Sequence, residues 1–288
     1  MHIILENEKL RIKIHPRGAE LQSIYHKEYE QEYMWNGDPV YWGKHSPVLF
    51  PIVGQLKDNT YYYQDKAYSL SRHGFAREMM FETSLITETS VRFSLKSDDT
   101  TLRNYPFDFE LCIHYKLEGD RLHTGYEVIN TGSDMMYFSI GAHPAFAVPL
   151  EKGRDYSEYK IAFSDTETAP RWLINDGLIS LSVPFLDDEQ SIKLSKNLFA
   201  KDAIVLKHLR SKTVSLCSDS GHRGLTMQID GFPFLGIWAA PGAPFVCIEP
   251  WCGIADSQFH NQQLTEKEGI ISLNAGASWL HGWDVALW

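Results

Sequence analysis

Apolar and polar residues alternate along much of this chain, and a period of two marks strands with one buried face. Leu10, Ile12 and Ile14 alternate with Arg11, Lys13 and His15, while Val91, Phe93 and Leu95 alternate with Arg92, Ser94 and Lys96. The longest run puts Phe107, Phe109, Leu111, Ile113, Tyr115 and Leu117 on one face. Asp108, Glu110, Cys112, His114 and Lys116 fall on the other. A Glu118-Gly119-Asp120 turn and a second run through Leu122, Thr124, Tyr126 and Val128 complete the pattern of an antiparallel hairpin. Shorter alternating segments recur at 214–216, 225–229 and 270–273, punctuated by Gly37-Asp38-Pro39, Asp219-Ser220-Gly221 and Pro241-Gly242.

Helical periodicity is confined to 98–105, a short helix entered through Ser97 as N-cap and stopped by Pro106. No linker, charge block, low-complexity tract or repeat divides the chain. The pattern predicts a single all-β domain over residues 1–288, built as a large antiparallel sandwich.

Composition narrows the function classes. With 43% hydrophobic and 22% charged residues, the chain has enough apolar content for a folded core. A net charge of −10, with scattered Lys and Arg, argues against nucleic acid or an anionic membrane as partner. No stretch reaches the roughly 18 apolar residues of a membrane span. Residues 1–8 lack the basic and apolar regions of a signal peptide. Cys112, Cys217, Cys247 and Cys252 are too few for a disulfide framework in a chain this long. They read as reduced thiols, and the expectation is a cytoplasmic protein.

Familiar catalytic signatures are missing: there is no Gly-x-Ser-x-Gly elbow, no phosphate-cradling loop, and no dinucleotide-binding Gly-x-Gly-x-x-Gly. No His-x-His or His-Glu-x-x-His pair suggests a metal, so neither metal nor cofactor is expected.

Three segments stand out instead. Ser71-Arg72-His73-Gly74-Phe75-Ala76-Arg77 sets a histidine beside glycine between two cations, leaving room for a polar ligand. Gly141-Ala142-His143-Pro144-Ala145-Phe146 follows an apolar strand, so His143 falls where that strand breaks. In Phe245-Val246-Cys247-Ile248-Glu249-Pro250-Trp251-Cys252-Gly253, a carboxylate interrupts an apolar strand that Pro250 is expected to halt. Desolvation there favours the neutral acid and raises the pKa toward the range of a general base. Taken alone, each histidine reads more readily as a hydrogen-bonded structural residue than as a catalyst, and Glu249 as an ion-pair partner of an Arg or a solvent-facing edge residue.

As an ordered set, the strings Phe50-Pro51-Ile52-Val53-Gly54, His73-Gly74-Phe75-Ala76-Arg77, Gly141-Ala142-His143-Pro144-Ala145-Phe146, Lys201-Asp202-Ala203 and Cys247-Ile248-Glu249-Pro250-Trp251-Cys252-Gly253 carry a resemblance. They resemble the aldose 1-epimerase (galactose mutarotase-like) family, most closely the branch found with bacterial lactose operons. The resemblance implies a large antiparallel β-supersandwich and cofactor-free interconversion of sugar anomers. It implies that Glu249 is the base taking the proton from the C1 hydroxyl and His143 the acid protonating the ring oxygen. His73 would hydrogen-bond the sugar near that oxygen, and Asp202 a ring hydroxyl.

One departure concerns specificity: the family usually places an Arg after Phe50-Pro51-Ile52-Val53-Gly54, and here Gln55 stands there. Gln keeps hydrogen-bonding capacity but lacks the charge and fork of Arg. Gln55 is taken as substrate-binding, with Arg72 or Arg77 as the nearby cation that compensates.

The leading expectation is a mutarotase acting on a free aldohexose such as galactose or glucose, as monomer or homodimer. A variant on a hexose 6-phosphate would use Arg72, Arg77 or Lys57. A non-catalytic sugar-binding or regulatory protein is kept open by Gln55. A glycoside hydrolase or lyase accessory domain is disfavoured, since hydrolysis wants two flanking carboxylates and only Glu249 has an evident motif.

Overall fold

The computed structural model describes residues 1–288, apart from the side chains of Leu85 and Ile86. The fold is all-β. A 14-stranded antiparallel sheet dominates, with a 4-stranded sheet and two 2-stranded ribbons packed against it. Along the large sheet, Phe245–Cys252 is followed by Phe234–Trp238, Ile204–Lys207, Tyr159–Asn175, Thr213–Ser218, Leu225–Gln228, Ser278–Leu287, Arg121–Asn130, Phe109–Glu118, Ser90–Lys96 and Glu82–Thr87.

The alternation read from the sequence is the cause of this arrangement. Phe109–Glu118 and Arg121–Asn130 pair in register from Glu118↔Arg121 outward, joined by Gly119-Asp120 with Gly119 left-handed at φ 60°. Phe109, Leu111, Ile113, Tyr115 and Leu117 are all buried. A slip of one residue would turn this whole set to solvent, so burial fixes the register.

The short helix differs in detail from the expectation. It spans Asp99–Asn104 and is capped by Asp98, not Ser97. The Asp98 carboxylate accepts from the Thr100 and Thr101 amides, and Thr101 Oγ1 accepts in return from the Asp98 amide, a closed capping box. Ser97 instead donates to Asp108, at the base of the neighbouring hairpin.

The reading of Pro250 as a strand stop is also corrected, because the strand runs on to Cys252. The Ile248 amide bonds the Pro144 carbonyl, and the Pro250 carbonyl accepts from Ala142. Alternation therefore turns the Pro250 nitrogen toward 142–144, where the neighbouring chain has left regular pairing and no ladder hydrogen bond is lost.

The longest hairpin, Tyr159–Asn175 with Leu178–Lys193, is not among the segments predicted from the pattern. Several register shifts along it break the period of two. Its Asp176-Gly177 tip has both residues at positive φ, 50° and 81°, as a two-residue turn of this kind requires. That dipeptide was the local signal available. The tip reaches the cavity described next.

Candidate active site

A cavity of about 490 Å³ opens over Phe245–Cys252 and its neighbours. Residues 247, 249 and 251 alternate with buried Val246, Ile248 and Pro250, so Cys247, Glu249 and Trp251 share one face. Glu249 is 2% exposed. His143 arrives from the gap between the paired pieces Ile140–Gly141 and Ala145–Ala147. There the backbone is pinned by the Ala142 amide on Pro250 and the Pro144 carbonyl on Ile248. The result is a contact of 3.1 Å between His143 Nε2 and Glu249 Oε2.

His73 stands beside them, its ring 5.8 Å from that of His143 between centroids and nearly perpendicular to it. The loop that delivers His73 is strained: His73 has φ 68° and Gly74 φ 71°. A side chain at Gly74 would put a Cβ 2.2 Å from the Phe50 carbonyl oxygen, so only glycine fits. Two hydrogen bonds join His73 to Gly54, from the His73 amide to the Gly54 carbonyl and from the Gly54 amide to His73 Nδ1. Since Nδ1 accepts, the ring proton sits on Nε2, a donor for the cavity.

Trp42 stacks on His143 at 4.9 Å, and Trp238 meets its edge at 5.9 Å. Trp42, Trp238 and Trp251 all line the cavity, whereas Trp35 is core and donates to the Trp42 carbonyl. The Trp251 indole lies between Gly141 and Gly236, where an added Cβ would come within 2.6 Å and 2.4 Å of it. Gly236 is the cross-strand partner of Glu249.

Burial sets the protonation states. It drives His73 well below the usual imidazole range, with the neighbouring His143 adding to the effect, and takes His143 down to about 3. Burial also raises Glu249 well above the carboxylate range, against the opposing pull of Arg72. Burial therefore favours the neutral acid beside neutral imidazoles, a Glu249–His143 pair that carries one transferable proton. Glu249 Oε2 and His143 Nδ1 make no protein hydrogen bond. Donor atoms of His143, Cys247 and Glu249 lie within 4.8 Å of one another, a set able to hold a cation that linear spacing does not announce.

The other expected residues divide. Asp202 lines the cavity in a left-handed conformation, φ 65°, with its carboxylate accepting from the Ala203 amide. Arg72 and Arg77 line it too, and the Arg77 guanidinium donates to the Arg72 carbonyl at 2.8 Å. Gln55 does not belong to the lining. Its side chain packs against the Gly177 tip, where a Cβ on Gly177 would lie 2.1 Å from Gln55 Oε1. Gln55 thus packs under the hairpin tip, beside the cavity. Ile174, Ile179, Phe199 and Val205 complete the walls without having been singled out in the sequence. They are apolar positions like any others until the fold brings them here.

The aldose 1-epimerase family model matches residues 1–284. This chain belongs to the aldose 1-epimerase family. The chromosomal LacX protein of Lactococcus lactis subsp. lactis is 38% identical over 285 residues, 95% of each chain. Among solved structures, a galactose mutarotase related enzyme from Lactobacillus acidophilus shares 34% identity, with 100% and 97% of the two chains covered and a TM-score of 0.95. A galactose mutarotase-like protein from Lactobacillus casei shares 31% over the full length of both, with a TM-score of 0.90. The large antiparallel architecture is therefore that of the aldose 1-epimerases, as the resemblance implied. Among the described residues, no helix is long and apolar enough to cross a membrane, and all four cysteines are free.

Proposed function

We propose that this chain interconverts the α and β anomers of a free aldohexose, galactose or glucose, by acid–base ring opening in the cytoplasm. The observation that carries this reading is the buried contact of 3.1 Å between His143 and Glu249 at the cavity floor. Ring opening removes a proton from O1 and delivers one to O5; closure on either face of the aldehyde reverses both transfers. A pair holding one proton supplies one acceptor and one donor at every stage. The roles implied by the resemblance use Glu249 as carboxylate and His143 as imidazolium. Moving the proton from Glu249 to His143, whose facing atoms stand 3.1 Å apart but are not aligned as a hydrogen bond until a sugar reorients them, converts the neutral pair into that form without changing its net charge. His73 Nε2–H adds a neutral donor toward the ring oxygen, and Trp42, Trp238 and Trp251 supply apolar faces for the C–H side of a pyranose.

The test is polarimetry or NMR exchange on freshly dissolved α-galactose and α-glucose. Rates no faster than buffer for both would overturn the reading. The pair also sets the expected pH profile. As pH falls through about 3, His143 gains a second proton for the pair and no base remains. As pH rises through the raised pKa of Glu249, the pair loses its only proton and no acid remains. The rate constant kcat/KM is therefore expected to show an acid limb near 3 and an alkaline limb above the usual carboxylate range, with a plateau between them.

A second reading has one observation in its favour: both Arg72 and Arg77 reach the cavity wall, so a hexose 6-phosphate has cations to meet. On that reading Arg72→Ala slows exchange of the phosphorylated sugar about tenfold more than that of the free sugar. Equal losses on both substrates would leave the free sugar as the substrate.

A further inference from the structure

Lys267 and Asp256 are sealed from solvent, with side-chain exposures of 1% and 0%. Lys267 Nζ donates to Asp256 Oδ1 at 2.8 Å and to the Ile254 carbonyl at 2.6 Å. A sealed ion pair adds little net stability, because desolvation offsets most of its attraction; its best-attested use is to fix one arrangement of the chain.

Asp256 is a junction. Its amide donates to the Gln55 carbonyl at 2.9 Å, and its own carbonyl accepts from the Ile179 amide at 2.9 Å. Its second carboxylate oxygen accepts from the Lys57 amide at 3.0 Å. One residue thus ties the turn 54–57, the hairpin end after Gly177, and the segment 254–256. Each contributes wall to the cavity, through Gly54, Ile179 and Ala255. The turn then holds His73 by the two Gly54 hydrogen bonds. A non-glycine residue at φ 68° persists only where its surroundings over-determine it.

We propose that Lys267, acting through Asp256 and the turn 54–57, is a positioning residue that fixes His73 as the Nε2–H tautomer, so that a donor always faces the sugar. This rests on the acid–base reading of the cavity. With Lys267 gone, the buried Asp256 carboxylate loses its cation: Oδ2 keeps only the Lys57 amide, and His260 Nδ1, 3.5 Å from that same oxygen, already accepts the Gln262 amide. A sealed carboxylate without its cation moves toward water or takes up a proton, and either change weakens its hold on the Lys57 amide; the turn 54–57 slackens, and with it the Gly54 amide on His73 Nδ1. Once that nitrogen is free to carry the proton, Nε2 offers a lone pair to the ring oxygen and the hydrogen bond is lost.

The test is Lys267→Met in histidine-labelled protein, with the His73 tautomer read from two-bond 15N–1H correlations and assigned by His73→Gln. In wild type, His73 is expected wholly as Nε2–H; a proton on Nδ1 overturns the proposal at once. In the variant a tautomer mixture is expected, with kcat/KM for anomer exchange down about tenfold, the loss of one hydrogen bond. A variant with a lower Tm but an unchanged tautomer and kcat/KM within twofold makes the pair purely structural and overturns the proposal. If Lys267→Met does not fold, Lys267→Met/Asp256→Asn removes both buried charges and is judged by the same two readouts. If wild type shows no exchange at all, the functional reading fails, while the tautomer still decides the positioning claim.

Discussion

Glu249→Gln is expected to slow anomer exchange by about 10²–10⁴-fold, the contribution of a well-placed acid–base group. The amide can neither take the O1 proton nor give one to O5, so the pair loses its transferable proton. The fold should be untouched. Burial favours the neutral acid form of Glu249, and Gln has the same shape and charge as that form. A melting curve coincident with wild type, beside a lost NMR exchange signal, is the expected result. His143→Asn should cost a similar factor, and the double variant little more than either, because the two groups act as one unit. If Glu249→Gln exchanged sugar at the wild-type rate, the catalytic assignment would fail while the fold assignment stood.

Phe50→Ala is expected to lower stability by about 3–5 kcal/mol, measured by urea unfolding at constant m. Phe50 is fully buried and meets Phe75, Tyr105, Phe109 and Phe138 at ring separations of 5.1–6.3 Å. Truncation leaves a void that five-way aromatic packing cannot close without moving backbone. The same residue accepts the Phe75 and Ala76 amides on its carbonyl and donates its own amide to His73. Loss of packing at Phe50 therefore reaches the strained His73 loop, and activity should fall before the protein unfolds.

The strands were legible wherever one face is buried and pairing is regular, as in Phe109–Glu118 against Arg121–Asn130. Alternation failed where the ladder shifts register: Tyr159, Ile161 and Phe163 alternate, but beyond them Tyr159–Asn175 and Leu178–Lys193 slip repeatedly and the period of two is not sustained. Helix capping was missed by one residue because Ser97 and Asp98 are both good caps, and only their reach to the Thr100 and Thr101 amides separates them. Glu249, His143 and His73 were visible as chemistry out of place among apolar and glycine neighbours. Their convergence was not, since a pairing gap at 142–144 and a left-handed loop at 73–74 are tertiary facts. The surroundings of Gln55 were hidden for the same reason. Position in a motif says nothing of a hairpin tip arriving from more than a hundred residues away to cover it.

Trp251 owes its place to missing atoms at Gly141 and Gly236. A methyl group at either site would tip the indole away from its bed and into the space a pyranose needs. On the proposed function, how deep a sugar sits beside Glu249 is governed from behind the tryptophan, by two glycines outside the cavity lining. Retuning this protein toward a bulkier or slimmer guest runs through those hidden supports as much as through the visible rim.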